Sequence, residues 1–367
     1  MIYFLLFYST IYALFQTYLF LAIKKAFSLN TRSLWILGTF LFIAMYFPLF
    51  QRIFLSKGIS SLSLFFHITG YFLMVYSFLF PFFHLLTIGI TKLIHLYSAD
   101  RNFYISLTLL SLFVLYGSVE KDLIQINRFE INDFPDVQTK NIRITQISDV
   151  HIDMLRNKAF LTKIKDLSNT TDPDIVVSTG DLLDGLTGGD KEISSIFKDF
   201  DAKIGKYAVL GNHEVYSGLD RNIQIIKDGG FKIIQQRTVE AYKNLIIGGV
   251  DDPAVTGRYE RSTSNYPDIF QKYDKKEKML VLLKHQPVPY KYKKKPHLQL
   301  SGHSHGGQVF PFGFFVFKRY GFLKGMYDLE KDFHFYISAG TGTWGPPIRV
   351  LSRPEISVFD IKVPIKK

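Results

Sequence analysis

Five short clusters hold the residue types that bind cations and move protons. They are Asp149 and His151 in DVH, Asp181 in GD, Asn212, His213 and Glu214 in GNHE, His285 alone after MLVLLK, and His303 and His305 in GHSH. Each follows an apolar run, so each is expected at the end of a buried strand. Imidazole, carboxylate and carboxamide are donors that suit Mn, Fe, Zn or Mg, and the chain has no cysteine to offer a thiolate ligand, a thiol nucleophile or a disulfide. One such cluster is an ordinary turn or a satisfied core histidine. Five at successive strand ends predict a shared site. Two divalent ions close together repel, so they need a bridging carboxylate, further protein ligands on each and room for water. Alternation along an extended chain predicts that Asp149 and His151 point to one side and that His303 and His305 present their rings in the same direction. Gly180, Gly211, Gly302 and Gly306 let backbone come close to whatever is bound.

The elements that must position these residues read as an α/β domain. Ile142 to Ser148 is the central strand, followed by a helix over 158–167, a strand over 174–178 and a helix over 191–200. A strand over 207–210 and a helix over 220–228 come next, then strands over 245–249, 279–283, 298–300, 333–337 and 356–359. This alternation predicts one layered domain over residues 141–367, with its ligands at the carboxyl ends of the strands. Asp153, Asp184, Asp251, Asp252, Trp344 and Arg349 are weaker candidates. Asp153, two positions past His151, fits either a support behind the ligands or a helix cap or turn, and the Asp251–Asp252 pair before Pro253 fits a turn. Arg349 suits either an anion clamp or the rim of a core.

Residues 1–118 differ in kind. They carry seven Lys or Arg against one acid, Asp100, so half of the chain's formal +12 sits in an apolar first third. Apolar runs over 2–23, 33–50, 62–90 and 103–116 predict four membrane helices, with Pro81 offering a kink in the third. The first run lacks the basic start and small-residue cleavage site of a signal peptide. Tyr and Phe crowd the ends of the runs, as an aromatic belt would. By the positive-inside rule, Lys24, Lys25, Arg32, Lys92 and Arg101 lie on the cytoplasmic side. Arg52, Lys57, Lys121 and Arg128 then lie outside with the C-terminal part. His67, His84 and His95 have no carboxylate partner in the runs and read as packing residues. A polar connector over 119–140 joins the two parts.

The series DVH, GD, GNHE, a lone histidine after an apolar strand, and GHSH resembles the calcineurin-like metallophosphoesterase superfamily in order and spacing. GHSHGGQ, the GVDD segment at Gly249 to Asp252 and the tail GTGTWGPPIRVLSRPEI from Gly340 to Ile356 are similar to its bacterial membrane-anchored phosphoesterases. The resemblance covers residues 142–361. It implies a four-layer α-β-β-α sandwich, here preceded by the helical membrane region. It also implies that Asp149, His151, Asp181 and His305 hold one ion, and that Asp181 bridges to a second held by Asn212, His285 and His303. His213 would protonate the leaving group or steady the transition state, with Glu214 orienting it. Two such cations lower the pKa of a bridging water, so that hydroxide is available to attack a phosphoester in line.

The expected function is therefore a membrane-anchored dinuclear phosphoesterase, a phosphomonoesterase or phosphodiesterase, in a bacterial cytoplasmic membrane. One alternative is a pyrophosphohydrolase of a nucleotide-linked lipid such as UDP-2,3-diacylglucosamine. Another is a non-catalytic sensor with a structural metal site, against which the complete ligand set argues. The basic run Lys291 to Lys295, with Lys272, Lys275, Lys276 and Lys278 nearby, fits contact with anionic lipid better than with nucleic acid, since a membrane region is attached. The aromatic stretch Gly306 to Leu323 follows two ligands directly and could meet acyl chains or an interface.

Overall fold

A computed structural model describes residues 2–155, 157–185, 189–255 and 267–365, with the side chains of residues 2–8 outside the described set. The chain divides into two compact units: Met1–Ser118 with Gly345–Pro347, and Val119–Trp344 with Ile348–Lys367.

The first unit is helical: α1 (Ile2–Phe27), α2 (Thr31–Ala44), α3 (Phe47–Ser56), α4 (Ser60–Leu93) and α5 (Ala99–Glu120). Asn30 caps α2 by accepting from the Ser33 N–H at 2.9 Å. The second apolar run was expected as one helix, but it breaks between Ala44 and Phe47, and α2 and α3 meet at 53°. Pro48 is the cause. It has no N–H to bond Ala44 and its ring would strike that carbonyl. Pro81, by contrast, lies inside α4, which continues through it. Among the described residues α4 and α5 are long and apolar enough to cross a membrane, and the bent α2–α3 pair makes a third if counted as one span. The first expected span lies in α1, with its opening side chains outside the described residues. Thr87 and Ser106 lie 2.7 Å apart, and Asn102 donates to Thr91 at 2.7 Å, so small polar groups join α4 to α5. His84 hydrogen-bonds Tyr18 at 3.0 Å.

The second unit is a sandwich of two six-stranded sheets. In chain order the strands are β1 (Gln125–Ile131), β2 (Thr139–Ile147), β3 (Ile175–Ser178), β4 (Gly205–Ala208), β5 (Phe231–Ile233), β6 (Arg237–Tyr242), β7 (Leu245–Val250), β8 (Met279–Lys284), β9 (Leu298–Ser301), β10 (Gly325–Glu330), β11 (Phe333–Ile337) and β12 (Glu355–Pro364). The first sheet runs β1-β12-β2-β3-β4-β5 and the second β10-β11-β9-β8-β7-β6. Strands β2 to β5 are parallel, as are β7, β8, β9 and β11, so their carboxyl ends gather at one edge of each sheet. Residues 119–140 were expected to be a connector. They carry β1, which pairs in parallel with β12 at the sheet's margin. Its sequence QINRFEI alternates weakly because an edge strand is half exposed.

Strands β3, β7, β8 and β9 are buried along their whole length, which requires cover on both faces. Between the sheets, Ile142, Ile144, Ile175 and Val177 meet Ile247, Val281, Leu283 and Leu300. Outside the first sheet, helices α6 (Lys158–Asn169), α7 (Asp190–Lys198) and α9 (Leu219–Asp228) bury Leu161, Ile164, Ile193, Phe197, Ile225 and Ile226. Outside the second sheet, the covering residues are Ile269, Phe270 and Tyr290, from turns rather than a long helix. The remaining helices, α8 (Asn212–Tyr216) and α10 (Gly313–Tyr320), lie in loops at the ligand-bearing edge.

Candidate metal centre

The segments leaving β2 and β3 run side by side. The Asp149 N–H donates to the Gly180 carbonyl and the His151 N–H to the Asp181 carbonyl, each at 3.0 Å. Asp149, His151, Asp181, His303 and His305 all have positive φ, between 50° and 70°. The strands have therefore ended, and left-handed turns rather than strand alternation aim the side chains. Asp and His are among the residues that tolerate this region best. Close approach fixes two glycines: a Cβ on Gly211 would strike the Asp181 carboxylate, and one on Gly302 the Asp149 carboxylate and Ser148.

Three groups of potential ligand atoms result, each within 4.8 Å: Asp149, His151 and His305; Asp181, His285 and His303; and His151, Asp184 and His213. The expectation that His303 and His305 face one way is corrected. His305 Nε2 lies 3.0 Å from His151 Nε2, while His303 Nδ1 lies 3.1 Å from His285 Nε2. Both histidines are left-handed while Ser304 between them is right-handed, so the chain is not extended here and the rings part between the groups. Asn212 Oδ1 joins the second group, 3.2 Å from His285 Nε2. Asp181 Oδ2 lies 3.1 Å from His285 Nε2 and 3.8 Å from His151 Nε2, so one carboxylate reaches both groups.

The outer partners set which ring nitrogens carry lone pairs. His285 Nδ1 faces the Thr179 carbonyl at 2.8 Å and His151 Nδ1 faces Asp184 at 3.2 Å, so in the neutral rings that a cation would require the proton sits on Nδ1 and both Nε2 lone pairs turn inward. Imidazole lone pairs and carboxylates converging at about 3 Å form a donor set that a divalent cation fits. Burial, then the charge on His285, push His303 down to about 4 against the opposing pull of Asp181, Asp252 and Asp149. Burial, then His151 and Arg349, hold His305 well below the ordinary imidazole range. Both rings are thus kept neutral, as ligands must be. Burial also opposes charge on His285 and Asp181, but their mutual attraction outweighs it, raising His285 and depressing Asp181.

His213 is 13% exposed, and its ring makes edge contacts with the exposed rings of Tyr216 and Trp344. Its Nδ1 lies 2.7 Å from Asp184 Oδ1. Burial is the largest influence and disfavours charge on His213, yet the hydrogen bond to Asp184 together with the charges of Asp181, Asp184 and Glu214 outweighs it and raises its pKa. The orienting contact expected of Glu214 is therefore made by Asp184. Glu214 is fully buried and accepts from the backbone N–H groups of Asp181, Leu182, Leu183 and Gly211, at 2.7–3.2 Å. It staples α8 to the Asp181 loop.

Among the weaker candidates, Asp153 accepts from the Leu155 N–H and Asp252 from the Ala254 N–H, the expected turns. Asp251 is buried and its carboxyl is pushed up to about 7 by that burial. Arg349 is neither clamp nor rim. It is fully buried, bonded to the carbonyls of Ala339, Gly342 and Ser352, with Nη2 3.1 Å from His305 Nδ1. In the basic run, Lys294 and Lys295 bond backbone carbonyls, so they stabilise turns.

A two-sheet sandwich gathers His, Asp and Asn where parallel strands end, a donor set able to hold metal ions. Residues 142–307 match the calcineurin-like phosphoesterase family, Metallophos. The chain is 30% identical over 249 residues to an uncharacterized metallophosphoesterase of Aquifex aeolicus, covering 67% of this chain and 95% of that one. It is 33% identical over 268 residues to one of Campylobacter jejuni, covering 71% and 70%. A Danio rerio transmembrane protein with metallophosphoesterase domain is 27% identical, over 60% of this chain and 53% of its own length. This chain belongs to the calcineurin-like metallophosphoesterase family. Its apolar helices, with relatives named as transmembrane proteins, point to membrane association.

Proposed function

We propose that this is a membrane-anchored phosphoesterase using two divalent cations, Mn, Fe, Zn or Mg, to hydrolyse a phosphoester of a lipid or other membrane-associated substrate. The observation that carries the reading is the position of Asp181 Oδ2, 3.1 Å from His285 Nε2 in one group and 3.8 Å from His151 Nε2 in the other. Asp149, His151 and His305 would hold one cation, Asn212, His285 and His303 the other, and Asp181 both. When bound, the pair supplies an activated water and neutralises phosphate charge. The protein's own part is proton handling: Asp184 holds His213 protonated and fixes its ring, so His213 can donate to the departing oxygen. Arg349 and the Thr179 carbonyl keep the His305 and His285 rings from turning.

A bacterial cytoplasmic membrane is the proposed location, with the catalytic unit on its outer side by the loop charges. Cleavage of a nucleotide-linked lipid pyrophosphate is the second reading. The exposed Tyr216 and Trp344 rings beside His213 favour it, since planar bases stack on aromatic faces. The test is a hydrolysis screen of purified full-length protein against mono-, di- and pyrophosphate esters, soluble and lipid-linked, with Mn, Mg and Zn compared. Turnover of none of them under any metal would refute the enzyme, and C-terminal reporter fusions would decide the side.

A further inference from the structure

Helix α10 is built against the usual logic of a water-soluble surface. Its sequence is GFFVFKRY and none of its residues is buried. Phe314, Phe315 and Phe317 are 65%, 60% and 57% exposed. The preceding Phe310 and Phe312 are exposed as well, and so is Leu351, beside the backbone pairing of Phe310 with Val350. A contiguous apolar patch of this kind marks a surface that something else covers. Two cations, Lys318 and Arg319, follow the phenylalanines on the same helix and are also exposed.

We infer that α10 seats in a lipid bilayer carrying anionic headgroups, its phenylalanines at the acyl boundary and Lys318 and Arg319 among the phosphates. Aromatic rings beside long basic side chains are the composition that lies in a membrane interface, the basic heads reaching back to the headgroups. The chain supplies the bilayer itself, since α4 and α5 are of membrane-crossing length and keep this unit tethered near one. α10 is also tied to the metal centre. The Tyr320 ring stands edge-on to His303 at 6.1 Å, Ser304 Oγ donates to the Leu323 carbonyl at 3.3 Å, and Gly307 packs on Gly313 too closely for any Cβ. Seating α10 therefore holds the metal centre at a set depth beneath the headgroups, where a lipid-linked ester would lie.

Because the chain has no cysteine, single-cysteine labelling reports this without background. Full-length Phe314→Cys, Phe315→Cys and Phe317→Cys proteins, with Lys227→Cys on α9 as control, would carry an environment-sensitive nitrobenzoxadiazole label. They would be reconstituted in phosphatidylcholine–phosphatidylglycerol vesicles containing doxyl lipids. Blue-shifted emission with strong doxyl quenching at the three α10 positions, and neither at 227, is expected. Water-like emission at α10 overturns the inference. So does a blue shift without doxyl quenching, which would mean that a protein surface, such as a second copy, covers the helix. These readouts do not require turnover, so they stand apart from the enzymatic assignment. If the soluble-ester activity is real, Phe314→Ser/Phe315→Ser/Phe317→Ser should keep it within about twofold while losing at least about tenfold on the same ester embedded in vesicles. Equal loss on both would also overturn the inference.

Discussion

Two places in the sandwich unit bring histidine and aspartate together, in opposite proportions. At the margin of the second sheet, one imidazole lies between two carboxylates: His334 Nε2 is 3.1 Å from Asp133 and Nδ1 2.5 Å from Asp328. The hydrogen bond to Asp133, then that to Asp328, raises His334 to about 9 against modest burial, so the ring is a cation and has no lone pair to give. At the metal centre the ratio is inverted. Five imidazoles surround Asp149, Asp181 and Asp184, and burial strips His303 and His305 of their protons. The same residue types make a fixed charge where carboxylates are in excess and a ligand set where imidazoles are in excess and water is excluded.

The sharpest break of that contrast is Asp181→Ala, which removes the carboxylate shared by both imidazole groups. Bound metal, measured by mass spectrometry of the purified protein, should fall below one ion per chain, with activity down more than about 100-fold. Full metal content in this variant would refute the bridging role. His213→Ala should keep its metals and lose about 10²- to 10⁴-fold in turnover, as removal of a proton donor does. Asp184→Asn is expected to be milder, about 10- to 100-fold, with turnover shifted to lower pH because His213 no longer has its carboxylate partner. An unchanged pH profile would assign Asp184 a packing role only. Glu214→Gln, which keeps the shape but weakens the accepted backbone bonds, should cost about 1–3 kcal/mol in denaturant unfolding. The smallest effect belongs to the comparison cluster. His334→Gln should cost about 1 kcal/mol after solvent screening. The raised pKa makes that contribution complete below about pH 6.5 and lost as pH rises through about 9, so wild type and variant should converge in stability above that pH.

The ligand residues were legible because each terminates an apolar, β-branched run whose strand character is unmistakable, as in IRITQI before Ser148 and MLVLLK before His285. What aims them was not. Spacing of two residues suggests a shared face only while the chain is extended, and the left-handed turns at Asp149, His151, His303 and His305 are tertiary in origin. The misplaced role of Glu214 was avoidable. It is next to His213 in sequence, but on a helix adjacent side chains do not face each other. Asp184, three residues past Asp181, meets His213 only through the packing of two loops. Strands β6 and β10 escaped because RTVEAY and GMYDLE lie at sheet edges, where half of the residues face water.

The five left-handed ligand residues have an evolutionary corollary. At the three histidines that conformation costs about 1 kcal/mol relative to glycine, which the surrounding loops must offset. A lineage released from selection for turnover would drift at His151, His303 and His305 toward glycine or asparagine, relaxing the turns as it did so. Retired members of this family should therefore refold without metal more readily than their working cousins.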